Sequence, residues 1–166
     1  GKVYTTPGTY KIRYAVLTDV GCLSDTIEKT ISVTKTPFAK FGFSVPQCQG
    51  KQITFSDNST LAGGFGNIVN WNWNLGVGSV ISNGTNANVS ATYPNTVTYN
   101  PTLQVTTNTG CLSPVYTFPV TVRPNPVPDF TMSYACLPDG VVNFTNTSTI
   151  ADGTQSSFTH LWNFGD

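Results

Sequence analysis

Val69-Asn70-Trp71-Asn72-Trp73-Asn74-Leu75 places an apolar residue at every second position, with asparagine between. Side chains alternate across a β-strand, so this period of two predicts a strand with Val69, Trp71, Trp73 and Leu75 on one buried face. Ile53-Thr54-Phe55-Ser56, Leu103-Gln104-Val105-Thr106 and Phe118-Pro119-Val120-Thr121-Val122 alternate in the same way. Between the runs stand Ala62-Gly63-Gly64, Val77-Gly78-Ser79, Asn83-Gly84 and Asn108-Thr109-Gly110, which have the residue types of turns. Helical spacing is not sustained anywhere. Several short strands and turns within roughly 90 residues predict an all-β sandwich.

Working outward from this strand, the chain returns on itself every 89 positions. Trp73 recurs as Trp162, Phe41 as Phe130, Phe55 as Phe144, and Tyr4 and Tyr10 as Tyr93 and Tyr99. Gly21-Cys22-Leu23-Ser24 recurs as Gly110-Cys111-Leu112-Ser113. In phase, residues 1–35 read as the back of one unit, 36–123 as a whole unit and 124–166 as the front of a third. Pro37, Pro124, Pro126 and Pro128 punctuate the boundaries and stiffen them by fixing φ. Such an array is the signature of a rod or scaffold.

Composition removes several partners. Charged residues make up 10 % of the chain and the net charge is zero, so no electrostatic footprint for nucleic acid or an anionic membrane exists. Asn, Thr and Ser take the solvent-facing role instead, which suits an extracellular or cell-surface protein. No run approaches the ~18 apolar residues of a membrane helix. Gly1-Lys2-Val3-Tyr4 does not read as a signal peptide, and an export signal is expected upstream. Two cysteines for each unit beside a single histidine argue against a metal site. Cys22 and Cys111 occupy one position of the unit, Cys48 and Cys136 the other; all four are candidates for disulfides in an oxidising compartment.

Trp73-Asn74-Leu75-Gly76 and Leu161-Trp162-Asn163-Phe164-Gly165-Asp166 resemble the W-D-F-G-D-G signature of polycystic-kidney-disease (PKD) domains. Tyr4-Thr5-Thr6-Pro7-Gly8-Thr9-Tyr10, followed by Ile12, Tyr14 and Val16, resembles the second PKD signature, Y-x-x-x-G-x-Y-x-V-x-L. The middle unit departs from both, with Leu75 for Phe, Val77 for Asp and Val97 where the glycine belongs. The resemblance implies immunoglobulin-like sandwiches, with Trp73, Trp162, Phe55, Phe144, Tyr10 and Tyr99 as core residues. The glycyl-cysteine pairs also resemble PKD arrays in long surface proteins of the Bacteroidota, including gliding adhesins and other type 9 secretion substrates.

Each candidate site has a plainer reading beside it. Trp71 and Trp73 could form a sugar platform, but burial accounts for their alternation without a ligand. His160 stands where the middle unit has Trp71, and no orienting acid or nucleophile accompanies it. No catalytic residue is expected. No cofactor is expected either, and the one metal considered is calcium, which some PKD domains hold in acidic loops. Its ligands would be backbone carbonyls beside Asp152, which stands alone in its loop, or beside Asp57, which otherwise reads with Asp166 as a turn or capping residue. Asp25-Thr26-Ile27 matches the O-glycosylation pattern of the Bacteroidota, making Thr26 a modification candidate.

Two disulfide schemes remain open. Cys48 and Cys111 could bond within the unit, although a sandwich of this topology puts them near opposite ends. Alternatively, each could bond to a cysteine of the adjoining unit and clamp neighbours into a stiff rod. The expected function is a non-catalytic structural segment of a long exported adhesin or filament, a rigid spacer that displays adhesive domains. Its partners are neighbouring repeats, with other surface proteins or glycans beyond them. The alternative is a carbohydrate-binding or spacer module of a secreted hydrolase. A further arrangement, in which the partial units of neighbouring molecules complete one sandwich, follows from the strand edges they would expose.

Overall fold

The computed structural model is all-β and describes residues 1–61, 63, 66–78 and 84–165. The turns read at Ala62-Gly63-Gly64, Val77-Gly78-Ser79 and Asn83-Gly84 lie partly outside these residues, and Asp166 wholly so. In chain order the strands are β1 (Gly8–Tyr14), β2 (Ile27–Val33), β3 (Phe41–Phe43), β4 (Gln52–Asp57), β5 (Ile68–Asn74) and β6 (Asn88–Thr92). They continue as β7 (Thr98–Tyr99), β8 (Thr102–Thr107), β9 (Tyr116–Thr117), β10 (Val120–Thr121), β11 (Phe130–Met132) and β12 (Phe144–Asn146).

The central sandwich sets the sheet β3-β4-β6 against the sheet β5-β8-β9, which the pair β7-β10 extends; the pairings between these strands are antiparallel. Its core holds Phe41, Ile53 and Phe55 from one side and Trp73, Leu75, Leu103, Val105, Val120 and Val122 from the other. Burying each such side chain contributes about 1.5–3 kcal/mol. The Phe41 ring meets Trp73 at 5.3 Å and Phe55 at 5.9 Å between centroids, in tilted and edge-on arrangements that the ring quadrupoles favour. Buried Tyr93 donates its hydroxyl to the Leu75 carbonyl at 2.9 Å. Desolvation, with the neighbouring Tyr99 second, pushes its phenol up to about 12.

Alternation holds in β4, where Ile53 and Phe55 point inward and Thr54 and Ser56 outward. It fails at the start of β5. A register shift between Ile68 and Asn70 leaves Val69 without a partner on β8, as in a β-bulge, which inserts one residue and reverses the facing beyond it. Ile68 therefore packs on the core while Val69 is exposed, contrary to the expected face. The run from Phe118 to Val122 is also not one strand: Phe118-Pro119 separates β9 from β10 opposite Asn100-Pro101. Proline cannot donate to a ladder, and one stands on each side of this break.

Flanking the sandwich are the N-terminal hairpin β1-β2 and the C-terminal pair β11-β12. Of the expected core residues, Phe55 and Trp73 are buried in the sandwich and Tyr99 packs against it. Tyr10, Phe144 and Trp162 lie in the flanking segments, where no second sheet covers them among the described residues, and each keeps part of its surface in solvent.

Candidate functional site at the ends of the central sandwich

The sequence Thr107-Asn108-Thr109-Gly110-Cys111-Leu112-Ser113 folds into a turn whose parts each do one job. Gly110 takes φ +83°, a left-handed conformation that costs other L-residues about 1–2 kcal/mol. Its N–H reaches the Thr107 carbonyl at 2.9 Å, and the Cys111 N–H reaches the Thr107 hydroxyl at 3.0 Å. Buried Ser113 accepts the Val105 N–H at 3.0 Å and donates to the Pro114 carbonyl at 2.8 Å. Thr18, Gly21, Cys22 and Ser24 make the matching bonds at the tip of the N-terminal hairpin, with Gly21 at φ +91°.

This turn presents the Cys111 thiol at the upstream end of the sandwich. Thr34 Oγ1, from the segment leading in, stands 3.1 Å from Cys111 Sγ, and Thr109 Oγ1 stands 3.7 Å away. Hydrogen bonding by Thr34, and then by Thr109, holds the thiol below its ordinary value because a donated hydrogen bond favours the thiolate. Thr34 also meets Thr109 hydroxyl to hydroxyl at 3.2 Å.

Cys48 lies at the downstream end. It bridges Arg123 in parallel: Gln49 N–H donates to the Arg123 carbonyl at 2.8 Å and Arg123 N–H to the Gln47 carbonyl at 2.8 Å. The Asn125 side chain, just past Arg123, donates to the Gln49 carbonyl at 3.0 Å. Arg123 stands 4.0 Å from Asp152. Asp152 is held below the usual carboxylate range chiefly by the Thr154 hydroxyl, with Arg123 contributing less.

All four cysteines are free thiols in the structure. The pairing of Cys48 with Cys111 is not made, for a geometric reason. Residues 111 to 123 run along β9 and β10 from one end of the sandwich to the other at roughly 3.3 Å per residue, so Cys111 and the neighbour of Cys48 lie far beyond the ~7 Å allowed between bonded α-carbons. Cys22 and Cys136 are exposed in the flanking segments.

The remaining candidates resolve simply. Trp73 is buried and Trp71 packs against the core, so neither forms an exposed platform. Asp57 accepts the Ser59 N–H at 3.0 Å, and Asp152 accepts both the N–H and hydroxyl of Thr154, the bonding of turn residues. Among the described residues no group of three or more His, Cys, Asp or Glu is placed to hold a metal ion. Thr26 is exposed immediately before β2.

What alternation alone could not locate is an open apolar face in the C-terminal segment. Phe130, Phe144, Phe158, His160, Trp162 and Phe164 line a groove of about 700 Å³. The His160 ring meets Phe158 edge-on at 6.4 Å, and among the described residues no acid is hydrogen-bonded to it. Residues 158–165 form no strand, although their counterparts in the central sandwich are β5 and its end. Strand structure needs a partner's ladder, and nothing in this segment provides the role of β8.

These pairings define an immunoglobulin-like β-sandwich. The chain belongs to the PKD domain family, whose model matches residues 34–122. No curated protein matches the chain in sequence. The PKD1 domain of Vibrio anguillarum Epp is similar at 22 % identity and TM-score 0.45, over 54 % of this chain and 96 % of that one. The PKD1 domain of the Vibrio cholerae metalloprotease PrtV is similar at 26 % identity and TM-score 0.44, over 53 % of this chain and 98 % of that one. A structure of carbohydrate-binding modules from the β-sandwich superfamily is similar at 21 % identity and TM-score 0.48, over 68 % of this chain and 53 % of that one.

Proposed function

We propose that the chain is a non-catalytic structural segment of a long secreted or cell-surface adhesin, in which residues 1–35, 36–123 and 124–166 are the back, the whole and the front of successive PKD units. It acts as a rigid spacer that holds adhesive domains away from the surface. The observation that carries this reading is that the segments at both boundaries are hydrogen-bonded to the central sandwich. Thr34 bonds the Cys111 turn at one end and Asn125 bonds Gln49 at the other. Linkers laid against a domain in this way give little hinge freedom, and the boundary prolines restrict it further. Small-angle scattering of the native protein tests it: a rod of one sandwich's cross-section is expected, and a flexible string of beads would overturn it.

The same boundaries support disulfides between units. Position 34 touches the thiol of Cys111, and position 123, one repeat later, bridges Cys48. Superposed by the repeat, both observations bring the Cys48 position and the following unit's Gly-Cys turn to one junction residue. Joining the two thiols forms one S–S bond and releases two protons and two electrons to a disulfide-bearing oxidant, which becomes a dithiol. Non-reducing peptide mapping of the native protein should link Cys48 to a following Gly-Cys-Leu-Ser turn, and a Cys48–Cys111 bond would overturn the scheme. Export by type 9 secretion, a role in gliding motility and O-glycosylation at exposed Thr26 belong to this reading through the family resemblance and the neutral, Asn/Thr-rich composition.

A further inference from the structure

The boundary after the central sandwich is crossed by a contact that the boundary before it lacks. Arg123, at the end of the sandwich, stands 4.0 Å from Asp152, in a turn of the segment that follows. One repeat earlier the same two positions hold Thr34 and Gly63, which carry no charge. The pair is a property of this boundary rather than of the repeat.

The link between the two sides is short. Arg123 is held on the central sandwich by its backbone bonds with Gln47 and Gln49. Val127 is held on the following segment in a similar way: its N–H donates to the Thr149 carbonyl at 2.8 Å, and its carbonyl accepts the Thr149 N–H at 3.0 Å. Only Pro124, Asn125 and Pro126 lie between these anchors. Two of the three have φ fixed by their rings, and the Asn125 side chain donates to the Gln49 carbonyl. The freedom that remains is a swing about a few backbone dihedrals. A modest contact across the boundary is then enough to select among the orientations left.

The Asp152 turn is shaped to make that contact. Gly153, at φ +74°, closes it by donating to the Ile150 carbonyl at 3.2 Å. Asp152 Oδ1 is engaged inside the turn by the Thr154 N–H and hydroxyl, at 3.2 and 2.7 Å. This fixes the carboxylate and leaves Oδ2, the oxygen that faces Arg123 Nη1, for the boundary. A carboxylate already held in place loses little further freedom on pairing, which lowers the cost of the contact. A cleft of about 250 Å³ lies there, with Thr96, Val122 and Arg123 on the sandwich side and Ala151 and Asp152 on the other. Val122 belongs to the buried core, so the sandwich side of the cleft is firmly anchored.

We propose that the turn at residues 150–154 is the surface by which the following unit seats on the central sandwich, and that Asp152 paired with Arg123 sets the angle between the two units. Both side chains keep solvent contact, at 26 % and 66 % exposure, so dissolved salt screens the pair. This boundary is stiff at low ionic strength and yields at high ionic strength. The boundary at Thr34 has no such charged pair, so the spacer bends at a fixed place along its length.

This inference rests on the division into units proposed above, and the test separates the two. Spin labels at Ser56→Cys and Thr145→Cys, exposed positions one repeat apart, report the distance between the units in the full chain with its four natural cysteines replaced by serine. A narrow distance distribution is expected at low salt. Asp152→Asn keeps an acceptor for Thr154 and removes the charge. Exposed pairs shift an equilibrium by about two- to fivefold, and the population outside the narrow peak should rise by that factor. Salt near 1 M, where the screening length is about 3 Å, should do the same to the unmodified pair and add nothing to the variant. Arg123→Gln should match Asp152→Asn, and the double variant should be no broader than either alone. The salt series decides the case if a variant fails to fold. Distributions that stay narrow and alike in every sample would overturn the Asp152 contact and leave the rigid boundary standing. Widening that adds up in the double variant would overturn the pairing as well, because it would show two independent effects. A distribution already broad at low salt with the pair intact would overturn the rigid boundary and the contact together.

Discussion

Thr34 Oγ1 and Cys111 Sγ stand 3.1 Å apart, so a hydroxyl in the segment leading into the sandwich tunes a thiol on the hairpin turn at that same end. Donation from Thr34 is the largest cause of the lowered Cys111 value. Thr34→Val removes that donor, raises the thiol and reduces its thiolate fraction near neutral pH. Alkylation of Cys111 in the reduced chain should slow severalfold, measured by mass spectrometry with Cys22 as the internal reference. An unchanged rate would show that the contact does not persist in solution.

Ser113→Ala leaves the buried Val105 N–H without its side-chain acceptor and removes the bond to Pro114. Unsatisfied buried polar groups cost about 1–3 kcal/mol. The midpoint of urea unfolding should fall accordingly, with little change in slope.

Gly66 has φ +88°, and a Cβ there would come within 2.7 Å of the Asn108 side-chain oxygen, which accepts the Asn67 N–H. Gly66→Ala therefore meets both backbone strain and a displaced hydrogen bond. A loss of about 1–3 kcal/mol is expected, and Asn108→Ala in the same background should relieve only the steric part.

Tyr93 makes the sandwich sensitive to alkali. Its phenol is raised from 10.0 to about 12 by burial and by Tyr99. The folded state then keeps a proton that the unfolded chain has lost. This contribution is fully present below pH 10 and is lost as pH rises through about 12. Tyr93→Phe should flatten the decline in stability across that interval, as read by denaturant melts at successive pH values, while lowering stability at neutral pH because Leu75 loses its donor.

Trp73 and Trp162 share a signature but not an environment. Trp73→Ala empties a closed core and should cost about 3–5 kcal/mol in the central transition. Trp162→Ala, at a partly exposed site in the C-terminal segment, should leave that transition unchanged under monomeric conditions. Equal losses in calorimetry would mean that the two regions unfold as one.

Alternation in β4, β5 and β8 made the sandwich legible, because a strand with one buried face repeats every second residue and the turns between carry glycine and asparagine. The bulge at Val69 was not legible, since an inserted residue leaves the apolar pattern intact and shows only in the pairing with Thr106 and Thr107. The break at Phe118-Pro119 had a signal in its proline, which cannot join a ladder. At the ends of the sandwich, Gly110 and Cys111 were visible as a motif. Their juxtaposition with Thr34 was not, because it joins residues far apart in the chain through a turn that only folding sets. Phe130, Phe144 and Trp162 read as core residues by their counterparts. Their exposure follows from which strands accompany them, a property of the neighbourhood rather than of the residues.

The short parallel ladder between Gln47–Gln49 and Arg123 has a mechanical consequence. The chain reaches Gln49 travelling away from its N-terminal side, and it reaches Arg123 travelling the same way before leaving the sandwich. Tension applied to the two ends therefore drags these segments past each other in shear. Their backbone bonds lie across the force and must break together, whereas an antiparallel hairpin pulled from its open end would unzip one bond at a time. Where the chain exits, a few residues act as a latch that makes the sandwich slow to open under strain.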